Sequence, residues 1–233
     1  MHPVSAAGST PRRALLICNG ELAESAIIAS LATQADLLIC ADGGANAAHA
    51  LALHPDLIIG DFDSIDPMVL QSYRAAGVRC EHLARQDDTD FEKALLALRE
   101  RGIADLDIIG ATGGLLDHAL GNLSILLRYV RGMRVMLVDP HYRIDVITTS
   151  AVFTSVPGER ISIVPLLPAE GVTLIGLKYP LYEARLSAGI LEGTCNEAMS
   201  DRFEVHLRTG IVLVFRGLVD ATTGELPPDP VPA

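Results

Sequence analysis

Leu57-Ile58-Ile59-Gly60-Asp61-Phe62-Asp63-Ser64 sets an apolar run directly before two aspartates spaced i, i+2, with a glycine ahead of them and a serine behind. The run reads as a buried strand that delivers Asp61 and Asp63 to the loop at its C-terminal end. In an open α/β sheet, ligands bind at that end of the strands. Two hard oxygen ligands on one side of a loop suit Mg2+, which takes one or two carboxylates and completes its shell with water and phosphate oxygens. The competing reading is structural: Asp63 or Asp66 caps a helix opening at Pro67, a residue well suited to the first helical position. We assign chemistry to Asp61 and Asp63 and the cap to Asp66.

Outward from this strand, short apolar runs at 14–18, 37–41, 78–82, 107–110 and 135–138 alternate with segments of helical apolar spacing at 21–32, 67–76, 89–100 and 116–129. In the last segment Leu116, Leu120, Leu123 and Leu127 mark one face. The alternation predicts a mostly parallel sheet with helices on both faces. After about residue 148 the rhythm changes. Partial period-2 alternation at 160–165, 172–177 and 203–207, and a β-rich run at 211–215, are punctuated by Gly158, Gly171, Gly189, Gly193 and Gly210. Closely spaced short strands predict an antiparallel sandwich or barrel. The expected organisation is an α/β domain over 12–145 followed by a β-sandwich over 148–226, the second small enough to lean on the first or on another subunit. Residues 1–10 lack a signal-peptide pattern and read as a loose arm, and proline-rich 226–233 reads as a frayed end.

Composition narrows the function. With 49% hydrophobic residues and a mean hydropathy of +0.33, the 233-residue chain is not disordered. No apolar run is long enough for a membrane helix, so no membrane partner is expected. A net charge of −11 argues against a nucleic-acid partner, which calls for a basic stripe. Nucleotides remain open to an acidic site that holds a divalent cation. Cys18, Cys40, Cys80 and Cys195 are scattered, without CxxC, and suit a reducing, cytoplasmic setting.

Three further stretches carry candidate chemistry. Asp42-Gly43-Gly44-Ala45-Asn46 is a strand–turn–helix junction whose glycines allow close backbone approach, although an ordinary turn with Asp42 as cap is as good a reading. Asp87-Asp88-Thr89-Asp90 opens a helix with more acid than a cap needs; Asp88 alone suits the helix dipole. Thr112-Gly113-Gly114 leads to Asp117 and His118. A lone histidine near a helix start is more often structural, yet His118 is placed to touch phosphate. Neither a P-loop nor a nucleophile elbow is present. The residues by themselves predict an α/β nucleotide centre with Mg2+ and no covalent nucleophile.

These motifs, in this order, resemble thiamine pyrophosphokinases. The matching pieces are 41–46 (ADGGAN), 55–65 (PDLIIGDFDSI), 86–90 (QDDTD), 110–122 (GATGGLLDHALGN), 177–181 (LKYPL) and 193–197 (GTCNE). The resemblance implies an N-terminal α/β domain, a C-terminal β-sandwich that binds thiamine and dimerises, and a homodimer with active sites at the interface. It implies transfer of a pyrophosphoryl group from ATP to the thiamine hydroxyl, releasing AMP, with Mg2+. By motif, Asp61, Asp63, Asp87 and Asp90 are the implied metal ligands, with Asp42 in the same acidic centre. Gly43, Gly44, Asn46, Ser64, Thr89, Thr112, Gly113, Gly114, Asp117 and His118 are implied around the nucleotide. Tyr179, Pro180 and Leu181, with Thr194, Cys195, Asn196 and Glu197, correspond to the thiamine-binding segments.

The thiamine alcohol needs a carboxylate to accept its proton, and Asp63 or Asp90 is expected to serve. Tyr179 and Tyr182 are candidates for an aromatic wall. Two departures stand out: Cys195 replaces a frequent serine, which weakens a side-chain hydrogen bond there, and Gln86 replaces a frequent lysine. Two other readings remain: a pyrophosphokinase acting on another alcohol such as a hydroxymethyl-pterin, and a non-catalytic thiamine sensor.

Overall fold

The fold is described from a computed structural model over residues 12–83, 88–218 and 226–233. The expected arm at 1–10, Gln86 and Asp87 lie outside these residues. The first half runs β1 (Arg13–Ile17), α1 (Ser25–Gln34), β2 (Leu37–Ala41), α2 (Gly44–Ala50), β3 (Leu57–Gly60), α3 (Pro67–Ala75), β4 (Arg79–His82), α4 (Asp90–Glu100), β5 (Asp105–Ile109), α5 (Leu116–Leu126) and β6 (Arg134–Val138). The second half adds β7 (Tyr142–Ile147), β8 (Ala151–Thr154), β9 (Arg160–Ile175), β10 (Leu181–Leu186), β11 (Gly193–Glu197), β12 (Arg202–His206), β13 (Thr209–Gly217) and β14 (Val231–Pro232).

The first six strands are parallel in the order β4-β3-β2-β1-β5-β6. Strand residues alternate between two buried faces. Leu15, Ile17, Leu38, Cys40 and Ile58 pack under α1–α3, whereas Leu16, Ile39, Ala41, Leu57 and Ile59 pack under α4 and α5. Both faces being covered explains the near-continuous apolar strands; each such side chain contributes about 1.5–3 kcal/mol on burial. The strand order reverses between β1 and β5, so a crevice opens at their C-terminal ends, where open α/β sheets bind ligands.

Three readings of the sequence need correction. The run 160–165 and the first four residues of 172–177 belong to one 16-residue strand, β9, passing through Pro165 and Pro168. Its register against β13 shifts beside Pro165 and Leu167, and a bulge tolerates a residue with no N–H to donate. The leucine stripe of 116–129 is only in part the packing face of α5: Leu123 and Leu127 pack, part-buried, against the core. Leu116 and Leu120 are exposed, and the helix buries Ala119, Ile125 and Leu126. The C-terminal segment is not frayed: Leu226 packs on the α1–α3 core, Asp229 pairs with Arg13, Arg134 and Arg143, and β14 pairs with β8.

β7 is antiparallel to both β6 and β13, so the sheet continues from one half into the other. The remaining pairings of the second half are antiparallel. Its core holds Phe153 and Phe203 stacked with centroids 4.6 Å apart. Among the described residues, no helix is long and apolar enough to cross a membrane.

Candidate active site

The parallel register decides what meets at the strand ends. Ala41 lies beside Ile59, so Asp42 and Asp61 leave β2 and β3 side by side. Helix α4 packs Phe91, Ala94, Leu95 and Leu98 into the core, which fixes Asp90 at its first turn against them. One carboxylate oxygen from each of Asp42, Asp61 and Asp90 lies within 4.8 Å of the others. Gly60 permits this approach, because a Cβ there would stand 2.7 Å from the Cβ of Asp42.

Asp42 is 2% exposed and adopts φ 38°, a conformation few non-glycine residues take. Its Oδ2 accepts a hydrogen bond from the Ser64 amide at 3.0 Å, while its Oδ1 is buried without a partner among the described residues. Burial, with the carboxylates of Asp90, Asp63 and Asp61 nearby, holds its carboxyl above the ordinary carboxylate range despite the Ser64 bond. An orphaned, buried carboxylate oxygen facing two more carboxylates is costly unless a cation joins them. Hard oxygen donors in this number fit Mg2+.

Lys93 is the group the sequence analysis missed. It is 3% exposed, and its Nζ donates to Asp90 Oδ1 at 2.8 Å and to Asp61 Oδ2 at 3.4 Å. Burial disfavours its charge, but the bonds and charges of Asp90 and Asp61 outweigh that and raise its pKa. The available signal was a lysine three residues after Asp90 on the apolar face of α4. Asp63 neighbours the trio without converging on it: it is exposed, its Oδ1 accepts from the Ser64 hydroxyl at 2.7 Å, and its amide donates to Asp61 Oδ1 at 3.3 Å. Asp66 caps α3 by accepting from Met68 N at 2.7 Å, with Pro67 following. Asn46 clamps the same loop, donating to Ser64 O and accepting from Asp66 N. Thr89, not Asp88, caps α4.

A cleft of about 930 Å3 runs from the trio across the crevice between β1 and β5. Its walls include Gly43, Ser64, Thr89, Gly113, Gly114, Asp117 and His118 from the expected set, and also Asn19, Gly20, Glu21 and Asn122, which the sequence analysis did not single out. The signal for 19–21 was an Asn-Gly-Glu directly after a strand. Gly44 serves packing: a Cβ there would meet the Ile17 carbonyl at 2.2 Å, so α2 starts against β1. Thr112 Oγ1 is buried with no partner beside the cleft wall. Cys18 borders the cleft, but burial pushes its thiol up to about 12, which removes it as a nucleophile.

Among the described residues, none of those lining this cleft comes from the second half of the chain. The two expected thiamine segments nevertheless meet each other. Asn196 accepts from Tyr179 N at 3.0 Å and donates to Tyr179 O at 2.9 Å, tying 177–181 to 194–197. Lys178 pairs with Glu197 at 3.0 Å. Cys195 is exposed with φ 57°, and its amide donates to the Ser162 hydroxyl. Tyr179, Pro180, Tyr182 and Thr194 are exposed, and Leu181 packs part-buried against the second-half core.

Comparison with known proteins covers both halves. Residues 28–137 match the family described as thiamin pyrophosphokinase, catalytic domain, and 142–212 match thiamin pyrophosphokinase, vitamin B1 binding domain. Thiamine pyrophosphokinase 2 of Arabidopsis thaliana is 30% identical, covering 79% of this chain and 79% of its own length. Thiamine pyrophosphokinase 1 of the same plant is 29% identical over 88% of this chain and 86% of its own. The crystal structure of thiamine pyrophosphokinase from Bacillus subtilis superposes with a TM-score of 0.75 at 26% identity, over 88% of this chain and 99% of that one. Two family models, plant relatives and a bacterial structure agree across both halves, and the chain belongs to the thiamine pyrophosphokinase family.

Proposed function

We propose that the cleft carries out Mg2+-dependent transfer of the pyrophosphoryl group of ATP to the hydroxyl of thiamine, giving thiamine diphosphate and AMP. The observation that carries the metal reading is the unpartnered Asp42 Oδ1 beside Asp61 and Asp90. Asp42, Asp61 and Asp90 would hold the ion, with Asp87 a further candidate by motif. Bound there, Mg2+ would neutralise the phosphates and stabilise charge on the transferred group. Loop 112–114 is read as offering backbone N–H groups to the polyphosphate across the crevice, with loop 19–21 as the facing wall, its Gly20 N–H already donated to the Gly110 carbonyl. By motif, Asp63, which accepts from the Ser64 hydroxyl, is read as the acceptor of the thiamine alcohol's proton. The acidic site also suits the permanent positive charge of thiamine.

The second half is read as a β-sandwich beginning near residue 148, which presents 177–181 and 194–197 to thiamine. Since, among the described residues, no cleft-lining residue comes from this half, the reading includes a homodimer in which the partner supplies those segments. Four free cysteines accord with a cytoplasmic setting.

A turnover assay with thiamine, ATP and Mg2+ tests the reaction. Equal amounts of thiamine diphosphate and AMP are expected. ADP with thiamine monophosphate would overturn pyrophosphoryl transfer, and thiamine binding without product would favour the sensor reading. Mixing tests the shared site: inactive Asp90→Asn and inactive Asn196→Ala chains, refolded together, are expected to recover up to about a quarter of wild-type turnover, because random pairing restores one intact site in half of the dimers. No recovery in verified mixed dimers argues that each site is built from one chain.

A further inference from the structure

We propose that Lys93 is a positioning residue of the acidic centre, anchoring one oxygen of Asp90 and one of Asp61 so that the carboxylates converge on a cation. The inference deepens the Mg2+ reading given above and rests on it. A lysine 3% exposed must have its ammonium satisfied, and its three donors can serve more than one acceptor. Here that single ammonium spans two elements: Asp90 sits on α4 and Asp61 follows β3.

The anchoring is divided atom by atom. Lys93 takes Asp90 Oδ1 and Asp61 Oδ2, and the Ser64 amide takes Asp42 Oδ2. Asp90 and Asp42 are thus held through one oxygen each, and Asp61 through both, since its Oδ1 also accepts from the Asp63 amide at 3.3 Å. Asp42 Oδ1 remains buried and unpartnered. A lysine serving only as a counter-charge has no need to bridge two carboxylates that also converge with a third. Outer partners that orient ligating groups in this way typically change metal affinity by 10–100-fold when removed.

The stem of Lys93 also borders a second cavity of about 330 Å3, lined by Ile59, Leu96 and Ala97 among others. The stem therefore forms part of the partition between that cavity and the cleft.

Orientation and charge predict opposite results, which makes the proposal testable without turnover. Mn2+ binding to the nucleotide-free protein is measured by titration with electron paramagnetic resonance, together with thermal melting, for wild type, Lys93→Met and Lys93→Arg. Lys93→Met is expected to weaken Mn2+ binding by about 10–100-fold. Lys93→Arg, which keeps the charge and changes the reach, is expected to fall between the two. A pure counter-charge gives the reverse: its removal leaves a more negative centre that binds Mn2+ more tightly. Tighter or unchanged binding in Lys93→Met overturns the proposal. Should that variant fail to melt cooperatively, wild-type affinity in Lys93→Arg overturns it instead. Absence of Mn2+ binding in the wild type would remove the Mg2+ reading itself, and this inference with it.

Discussion

Asp42→Asn is expected to lower kcat/KM by at least about 10³-fold while leaving the melting temperature unchanged or slightly raised. The lower bound follows from scale: losing a group that only orients a ligand costs 10–100-fold in metal binding or activity, and losing a ligand must cost more. Asparagine is nearly isosteric, and its carbonyl can keep the bond from the Ser64 amide. Its NH2 group then occupies the place of Oδ1, turning a donor of electron pairs into a donor of protons toward Asp61 and Asp90. Stability moves the other way. Burial holds the Asp42 carboxyl above its ordinary range, so the ionised form is penalised in the folded protein. A neutral amide removes that penalty. Steady-state kinetics and thermal melting on one preparation decide the matter; activity within tenfold of wild type would falsify the placement of Asp42 at the metal.

The same residue shows where sequence reading reaches its limit. A carboxylate beside a Gly-Gly pair is equally consistent with a helix cap, and only the β2–β3 register shows that Asp42 stands next to Asp61. Asp61 and Asp90 were legible because an apolar run or a helical period points directly at them. Lys93 was not, since its role requires knowing that α4 turns it inward over β3. The parallel half could be read because strands buried on both faces are continuous apolar runs. In the second half, β10 and β11 have exposed side chains and broken register, so neither alternation nor hydrophobicity marks them. The leucines of α5 misled for a related reason: apolar spacing at 3.6 residues states that a helix has an apolar face, not which neighbour covers it.

Deleting 226–233 is expected to destabilise the protein by about 3 kcal/mol, net of the ordering entropy of the segment, which at 2–4 °C per kcal/mol for this chain length lowers the melting temperature by roughly 6–12 °C. The segment reads as a disordered tail, yet it ties the two halves together. Leu226 packs on the α1–α3 core of the first half, and Val231–Pro232 pairs with β8 of the second. Between them, the Pro227 carbonyl accepts from buried Arg143, and Asp229 Oδ1 accepts from the same guanidinium at 2.7 Å. Asp229 also faces Arg13 at 3.2 Å and Arg134 at 3.4 Å. Those two arginines hold Asp107, which is fully buried on β5.

The pH dependence separates this network from the apolar contacts of the tail. Burial alone would raise the Asp229 carboxyl, but Arg134, Arg143 and Arg13 outweigh it and hold it below the ordinary carboxylate range. A depressed folded pKa means that the stabilisation is complete above the unfolded value near 4 and is lost as pH falls through the lower folded value. The gap in melting temperature between full-length and truncated chains is therefore expected to be constant near neutrality and to narrow below about pH 4. A gap that persists unchanged in acid would assign the stabilisation to Leu226 and β14, with the charges contributing little. A truncated chain that melts within 2 °C of wild type at pH 7 would mean that the tail only rests on the surface it covers.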